Sequence, residues 1–540
     1  LVDGSEELVA ELPVDVGGIG KGASNEEKVT DSKNSSKSTA VAETAGPIVD
    51  GGGRTDNATT EMGFEITDNH KNSESSAVVA PNGNDEAALQ PDPLMAGFEA
   101  PRSESSKLTV ASQPQPKPTE ITLADGMGDK LAAAAKIKPS KRSGVLVVTG
   151  DADGFATLSA ACSAASAGDV VELRFNGRRE EKPIALPNKK ITIRAADGFR
   201  PVIAFRPNEL DPIKYPRSMF TLTGSRLTLL NVDIVLDIPR DVPAEQWSLL
   251  KMGRSDTVKM EKCCLTICNA SDRLAAYHQE VAFFHVGATP STDVVIGKKT
   301  QATERVAKIE LTDTIVRGEA VLLRAEDLQP TELIWTNGLL VTTEWLLTVD
   351  GGEKKPQDGE MMILDLQHLT AVMRAGLCHL ETSQFAANML PVRINCSDSI
   401  VMIASDGVLI DQIGSKDVGT LLSQVDWSGD RNFYQGFSAF WQIRPFDGTS
   451  TVHRMSLSEW KTHWGPEREN MALHDKVRWK KPLSEMRPTH THTPSDYVLG
   501  DSRNNNRAID AASDGSDIGF DINSLSTILR QGSKKNTHSD

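Results

Sequence analysis

Six apolar segments recur along the chain at similar spacing, and that recurrence limits the possible fold more than any single motif. They are LTLLNVDIVL from Leu227, VKMEKCCLTI from Val258, IELTDTIVRG from Ile309, LIWTNGLLVT from Leu333, MILDLQHLTA from Met362 and VRINCSDSIV from Val392. Their starts differ by 31, 51, 24, 29 and 30 residues, the 51 counting as about two steps. Each alternates apolar and polar residues, breaks at a short polar or small stretch, and resumes with a second apolar pair. A period in this range marks a solenoid: one unit cannot bury its inward face alone, whereas stacked units share a continuous core. Alternation sends Leu227 and Leu229, or Ile309 and Leu311, inward, and the Thr, Lys and Glu between them outward. ITIRAADGFRPVIAF at 191–205 and MFTLTGS at 219–225 fit the same scheme. The leucine-rich-repeat pattern and the Gly-His and Trp-Asp marks of propeller blades are missing. A unit of this length suits three short strands per turn, so the expected fold is all-β, a right-handed parallel β-helix.

A solenoid leaves an open first rung, and GFATLSAACSAASAGDVVELRFNG at 154–177 supplies what that end needs. Its alanine-rich half predicts a short helix that lies across the mouth as a lid, and Gly168 lets the chain turn into the strand VVELRF. With KKITIRAADGFRPVIAF behind it, this region resembles the entry of pectate-lyase-like β-helix proteins: a helix with Ala pairs, Gly-Asp, a strand, a polar stretch, then "ITI". The resemblance is close over 145–205, and the rungs to 413 share its character. It implies the β-helix fold with an N-terminal helical cap and says little about activity.

Ahead of the cap lies a different kind of chain. Residues 1–140 contain two aromatics, Phe64 and Phe98, and no Trp, Tyr or Cys. Such a segment cannot bury enough to offset the entropy of ordering it, so 1–142 is expected to be a disordered low-complexity linker. The β-helix is expected over 143–425, with its cap at 154–177. An aromatic-rich segment at 426–529 is expected to pack on or close the solenoid, and 530–540 is expected to be a polar tail. In that segment Trp427, Trp441, Trp460, Trp464 and Trp479 gather; MSLSEWKTHWG at 455–465 predicts a helix begun by Ser456 or Ser458 and stopped by Gly465.

Net charge is −16, which argues against nucleic acid, since phosphate neutralisation needs clustered Lys and Arg. No apolar run long enough to span a membrane occurs in the sequence. The six Cys form no CxxC pair and are expected to be small core residues. No cofactor or metal site is expected; His490 and His492 of HTHT would share one side of a strand but lack further ligands. Inverting hydrolysis needs an acid and a base separated by about 6.5–9.5 Å. The weak catalytic candidates are Asp233, Asp237, Asp313 and Asp365, with no NTD, DD, HG or RIK set among them. Aromatic rings can stack on sugars, which makes Trp335, Trp345, Trp441 and Trp460 weak ligand-binding candidates, with packing as the competing reading.

The cap, the rungs, the SLSEWK helix and ASDGSDIGFD near the end together resemble the C-terminal β-helix region of large bacterial proteins. Some of these carry a Ser/Thr protein kinase, a membrane segment and a linker upstream. The resemblance implies an extracytoplasmic or membrane-associated setting through an upstream part, and the non-Met start fits a truncated member. The kinase motifs themselves are absent from these residues. The leading expectation is a non-catalytic binding or sensor module for a polysaccharide or cell-surface ligand. The alternatives are a polysaccharide lyase or glycoside hydrolase with an atypical site, and a structural or adhesive surface domain.

Overall fold

The computed structural model describes residues 144–149, 153–207, 215–243, 245–270, 277–288, 306–414, 417–446, 451–483, 487–500 and 506–525. The linker expected at 1–142 and the tail at 530–540 lie outside them.

Among the described residues twenty-six strands form one continuous sheet. All ladder pairings there but one are parallel; the exception is His453–Met455 against Phe433–Pro445. The sheet is wound as a right-handed parallel β-helix, the hand that parallel crossovers take, and it has three faces. Face A runs from Val145–Val148 through Val170–Leu173, Lys190–Ala195 and Arg226–Leu230 up to Glu469–Asn470. Face B starts at Gly177–Glu180 and ends at Leu473–His474. Face C starts at Ile184–Pro187 and reaches the second half of Phe433–Pro445. The longer strands of the middle rungs, such as Ala307–Gly318, bend from face A to face B without interruption.

Alternation builds the core as the repeat requires. On face A, Val258, Ile309, Leu333, Leu364, Ile394 and Trp427 stack in register and are buried. On face B the same role falls to Leu265, Val316, Leu340, Ala371 and Val401, and on face C to Leu323, Leu347, Cys378 and Ile410. Each Leu or Ile so buried contributes about 1.5–3 kcal/mol. Five of the six Cys are buried and none is bonded to another; burial pushes the Cys263 and Cys396 thiols up to about 12, which leaves them inert.

The break inside each repeat is the corner between faces A and B. A single left-handed residue turns the chain there in eight rungs: Asn231, Lys262, Asp313, Asn337, His368, Asp398, Arg431 and Met471, with φ between 48° and 55°. Asn and Asp tolerate that conformation better than most residues. The corners also correct the phase of the repeat. Leu364 and Ile394, not Met362 and Val392, are the register partners of Leu333. The 51-residue interval is one rung rather than two, because Thr257–Glu261 pairs directly with Ala307–Gly318.

At the Asn337 corner Trp335 turns into the core. A Cβ on Gly338 would lie 2.0 Å from the Trp335 indole nitrogen and 2.7 Å from the Thr314 carbonyl. Gly338→Ala is therefore expected to destabilise the chain by about 1–3 kcal/mol through overpacking, read as a lower thermal midpoint by circular dichroism; an unchanged midpoint would contradict this packing.

Helix α1 (Leu158–Ala164) closes the first rung, with Thr157 as N-cap and Leu158, Ala161 and Cys162 turned into the core. The Leu158 amide donates to Glu181 at 2.9 Å, and Lys189 donates to the last carbonyls at Ser163 and Ala165. Gly168 makes its turn at φ +90°. One ladder strand, Val145–Val148, precedes the helix rather than following it.

The ladders run on past residue 425, the expected boundary. Val425–Asp430 and Phe433–Pro445 make a further rung, and Glu469–Asn470 with Leu473–His474 begin another. A short helix α2 (Val418–Leu422) precedes them, and α3 (Leu457–Trp464) covers the end, with Ser456 and Glu459 in a reciprocal cap and Gly465 at its stop. Residues 506–525 then return along the A–B corner. Asp398 accepts from the Ser513 amide at 2.7 Å and hydroxyl at 2.6 Å, and Asn337 accepts from the Asp521 amide at 2.7 Å. Gly519, at φ +96°, sits where a Cβ would meet the Thr370 hydroxyl at 2.6 Å, which accounts for the glycine in SDIGFD.

Candidate functional site

The eight residues singled out from the sequence fall in separate places. Asp233 and Asp237 lie at the two ends of one face B strand; burial pushes the Asp233 carboxyl up to about 6 against the pull of Arg317 and Arg200, and Asp237 pairs with Arg178 at 2.9 Å. Asp313 is a corner residue whose carboxylate accepts from Asn337 at 2.7 Å. Asp365 is on face A, accepting from Asn395 at 2.5 Å, in a shallow polar hollow of about 300 Å³. The four Asp therefore do not form one constellation. Trp335, Trp441 and Trp460 are fully buried and offer no ring to solvent. Trp345 alone among the four is partly exposed.

The gathering of aromatics near the end is a packing cluster. Trp427, Trp441, Trp460, Trp464, Tyr434 and Phe440 meet ring to ring, with Trp427 and Trp460 5.1 Å apart at 68°. At its centre the buried Glu469 carboxylate accepts from the Trp427 indole at 2.5 Å, the Trp460 indole at 2.8 Å and the Tyr434 hydroxyl at 3.2 Å. The HTHT stretch forms a one-turn 3₁₀ helix, Thr489–Thr491, rather than a strand. Its two His diverge: His490 bonds Glu319 and His492 bonds the Tyr497 hydroxyl at 2.7 Å. Among the described residues no group of three or more His, Cys, Asp or Glu could hold a metal ion.

The surface that does bring chemistry together surrounds Trp345 on face C. Its outward side chains come one per rung: Lys251, His285, Arg324, Thr348, His379, Asp411 and Gln442 are register neighbours in order. Adjacent rungs lie about 4.8 Å apart, so two rungs span about 10 Å. A second row beside it carries Glu326, Asp350 and Glu381, the last two in direct register. Trp345 reaches over Gly376 of the next rung, where a Cβ would come within 2.3 Å of the ring. There the indole stacks on the His379 imidazole, centroids 5.3 Å apart at 29°.

His379 is held from both sides, by Asp411 at 3.0 Å through Nδ1 and by Glu381 at 3.3 Å through Nε2. Burial would lower its pKa, but the two carboxylates outweigh burial and raise it, favouring the imidazolium. The buried Asp411 carboxyl shows the opposite balance: burial would raise it, but His379, Gln442 at 3.0 Å and Arg444 hold it below the usual carboxylate range. Glu326 is lowered by His285 at 2.9 Å. Asp350 differs. Its outer side meets solvent, yet the protein packed around it, with Glu326 and Glu381 nearby, raises its pKa against Arg324 and His379. At the edge of this patch the Tyr277 hydroxyl donates to Glu344 at 2.7 Å.

The result is a surface with one partly exposed aromatic ring, where a row rich in donors, several of them buried, runs beside a row of carboxylates at rung spacing. Trp345 was the only part of it visible in the sequence. His379, Asp411, Asp350 and Glu381 come from rungs about 30 residues apart, and only a count in rung register from Trp345 would have found them.

No protein-family model matches the chain, and no curated protein matches it. Among solved structures it is similar to the pectin methylesterase PemA from Erwinia chrysanthemi, 11% identical, covering 66% of this chain and 94% of that one, with a TM-score of 0.31. It is also similar to a pectin methylesterase in complex with a hexasaccharide, 10% identical over 64% and 92% of the two chains, TM-score 0.26. A third is the pectin methylesterase from Aspergillus niger in deglycosylated form, 11% identical over 67% and 95%, TM-score 0.20. Values this low carry no argument about chemistry, and the site rests on its own geometry.

Proposed function

We propose that this chain is a non-catalytic β-helix module that binds a polysaccharide along face C. The observation that carries the reading is Trp345, partly exposed and stacked on His379 beside the charged rows. An aromatic face offers apolar contact to a sugar ring, and the flanking Arg324, His379, Asp350 and Glu381 offer charge-assisted hydrogen bonds to hydroxyls. A linear polymer lying along the rungs meets the same spacing again and again, so several weak contacts add along one chain. The resemblance of the cap and closing segment to β-helix regions of large bacterial proteins supports placing such a sensor at the outer end of a larger chain.

The test is an array of immobilised polysaccharides probed with the full chain and with Trp345→Ala. Wild type is expected to retain at least one polysaccharide, and Trp345→Ala to weaken that binding about tenfold or more. Equal retention by both would remove Trp345 from the site.

One observation favours a hydrolase instead: the Asp350 carboxyl is held up while that of Asp411, two rungs on, is held down, the kind of split an acid and a base require. Against it, Asp411 is committed to His379, Gln442 and Arg444. A reducing-end assay on the retained polysaccharide decides between the two. No turnover is expected; turnover that disappears in Asp350→Asn would establish the hydrolase.

A further inference from the structure

A second, independent site lies on face B, where residues 476–483 and 487–497 lie over the outer surface of the solenoid. They do not pack flush against it. A cavity of about 710 Å³ remains between the two, within the size range of small-ligand sites. Its floor is made by Val341, Val372 and Met402, register neighbours on three successive rungs, and its roof by Val477, Trp479 and Leu483. These walls are mainly aliphatic.

The charge at its edges is one-sided. Arg374, Lys476, Arg478, Lys481 and Arg487 line the cavity, and among the described residues no Asp or Glu does, in a chain whose net charge is −16. Arg487 is engaged with Asp496 at 2.6 Å. The other four are exposed at the rim and make no ion pair among the described residues. In the wall, the Trp479 indole N–H and the Arg487 Nε are shut off from solvent without a hydrogen-bond partner among the described residues. Buried donors are ordinarily satisfied, so unpaired ones lining a roomy cavity mark places where a ligand acceptor or a water would sit. A concave site with four unneutralised cations and low-dielectric walls concentrates anions.

From the apolar walls and the cationic rim together, we propose that this cavity binds a small anionic amphiphile: a carboxylate or phosphate ester whose hydrocarbon body enters between face B and Trp479 while its head meets Arg374, Lys476, Arg478 and Lys481. A polyhydroxylated anion would leave the aliphatic floor without a complement, and an uncharged lipid would leave the rim without one.

The probes are dodecanoate and dodecyl phosphate, titrated calorimetrically into the full chain below their micellar concentrations, with a dodecyl glycoside, inorganic phosphate and a galacturonate oligomer as comparisons. Saturable binding of at least one of the two anionic amphiphiles is expected, with binding to the three comparisons weaker by about tenfold or more. Which of the two binds more tightly distinguishes a carboxylate from a phosphate head. Lys476→Glu with Arg478→Glu, both on exposed side chains, is expected to weaken binding about tenfold or more and to leave the thermal midpoint in place. Met402→Trp, which fills the floor, is expected to abolish binding while face C retention of polysaccharide continues. Binding of the glycoside as tight as that of the anions, tighter binding of galacturonate, or affinity unchanged in the charge-reversed chain would each overturn the proposal.

Discussion

Glu469→Ala is expected to lower the unfolding free energy by about 3–5 kcal/mol, because it removes one partner from a buried charged network. Three donors converge on that carboxylate, from Trp427, Trp460 and Tyr434. Deleting it leaves all three buried without an acceptor, at the point where α3 and the last rungs meet. Urea unfolding followed by Trp emission gives the midpoint, and a loss below about 1 kcal/mol would show that the cluster is held by apolar packing alone. Glu469→Gln keeps one acceptor oxygen and is expected to fall between wild type and Ala. Burial raises the Glu469 pKa, with the three hydrogen bonds opposing it. A raised carboxyl contributes stability that is fully present below its unfolded pKa, about 4.3, and that is lost as pH rises through the folded value. Glu469→Gln should remove that slope.

Glu319→Ala is expected to release the C-terminal segment from face B rather than to unfold the solenoid. The buried Glu319 carboxylate accepts from Thr489 at 2.7 Å, from the His490 amide at 3.2 Å and from the Asn269 and Ala270 amides at 3.1 Å, and it faces the His490 ring at 3.0 Å. Burial alone would raise it; the bonds from His490, Thr489 and Asn269 bring it down to about 2. The sign is therefore opposite to that of Glu469: the stabilisation is present above about 4.3 and is lost as pH falls toward 2. Hydrogen exchange should show residues 487–500 losing about a hundredfold in protection in Glu319→Ala, equivalent to about 3 kcal/mol, with Leu333 and Leu364 on face A unchanged. Wild type should show the same local loss in acid. Uniform loss over the whole solenoid, or none at 487–500, would show that Glu319 is not the fastening point.

The fold was legible because stacking imposes a rule on every rung. Leu227, Ile309 and Leu333 repeat in phase, and alternation assigns each its side. The corner was only half legible. Asn231, Asp313, Asn337 and Asp398 are residue types that tolerate a left-handed turn, but Lys262, Arg431 and Met471 occupy the same position and carry no such mark. The 51-residue interval misled because an insertion and an extra rung look alike in spacing; only pairing separates them. The site was least legible. Trp335 and Trp345 are ten residues apart in the same rung, yet one is fully buried and the other partly exposed, a difference their spacing does not carry. His379 and Asp411 acquire meaning only when the rungs set them side by side.

The measurement that bears most directly on the function is hydrogen–deuterium exchange of the full chain with and without an oligosaccharide of the polysaccharide retained on the array. Binding along face C predicts slowed exchange at Trp345–Asp350, at Gly376–Glu381 and at residues 407–414, with face A unchanged. Slowing on face A or at 476–500, or no slowing anywhere, would contradict it.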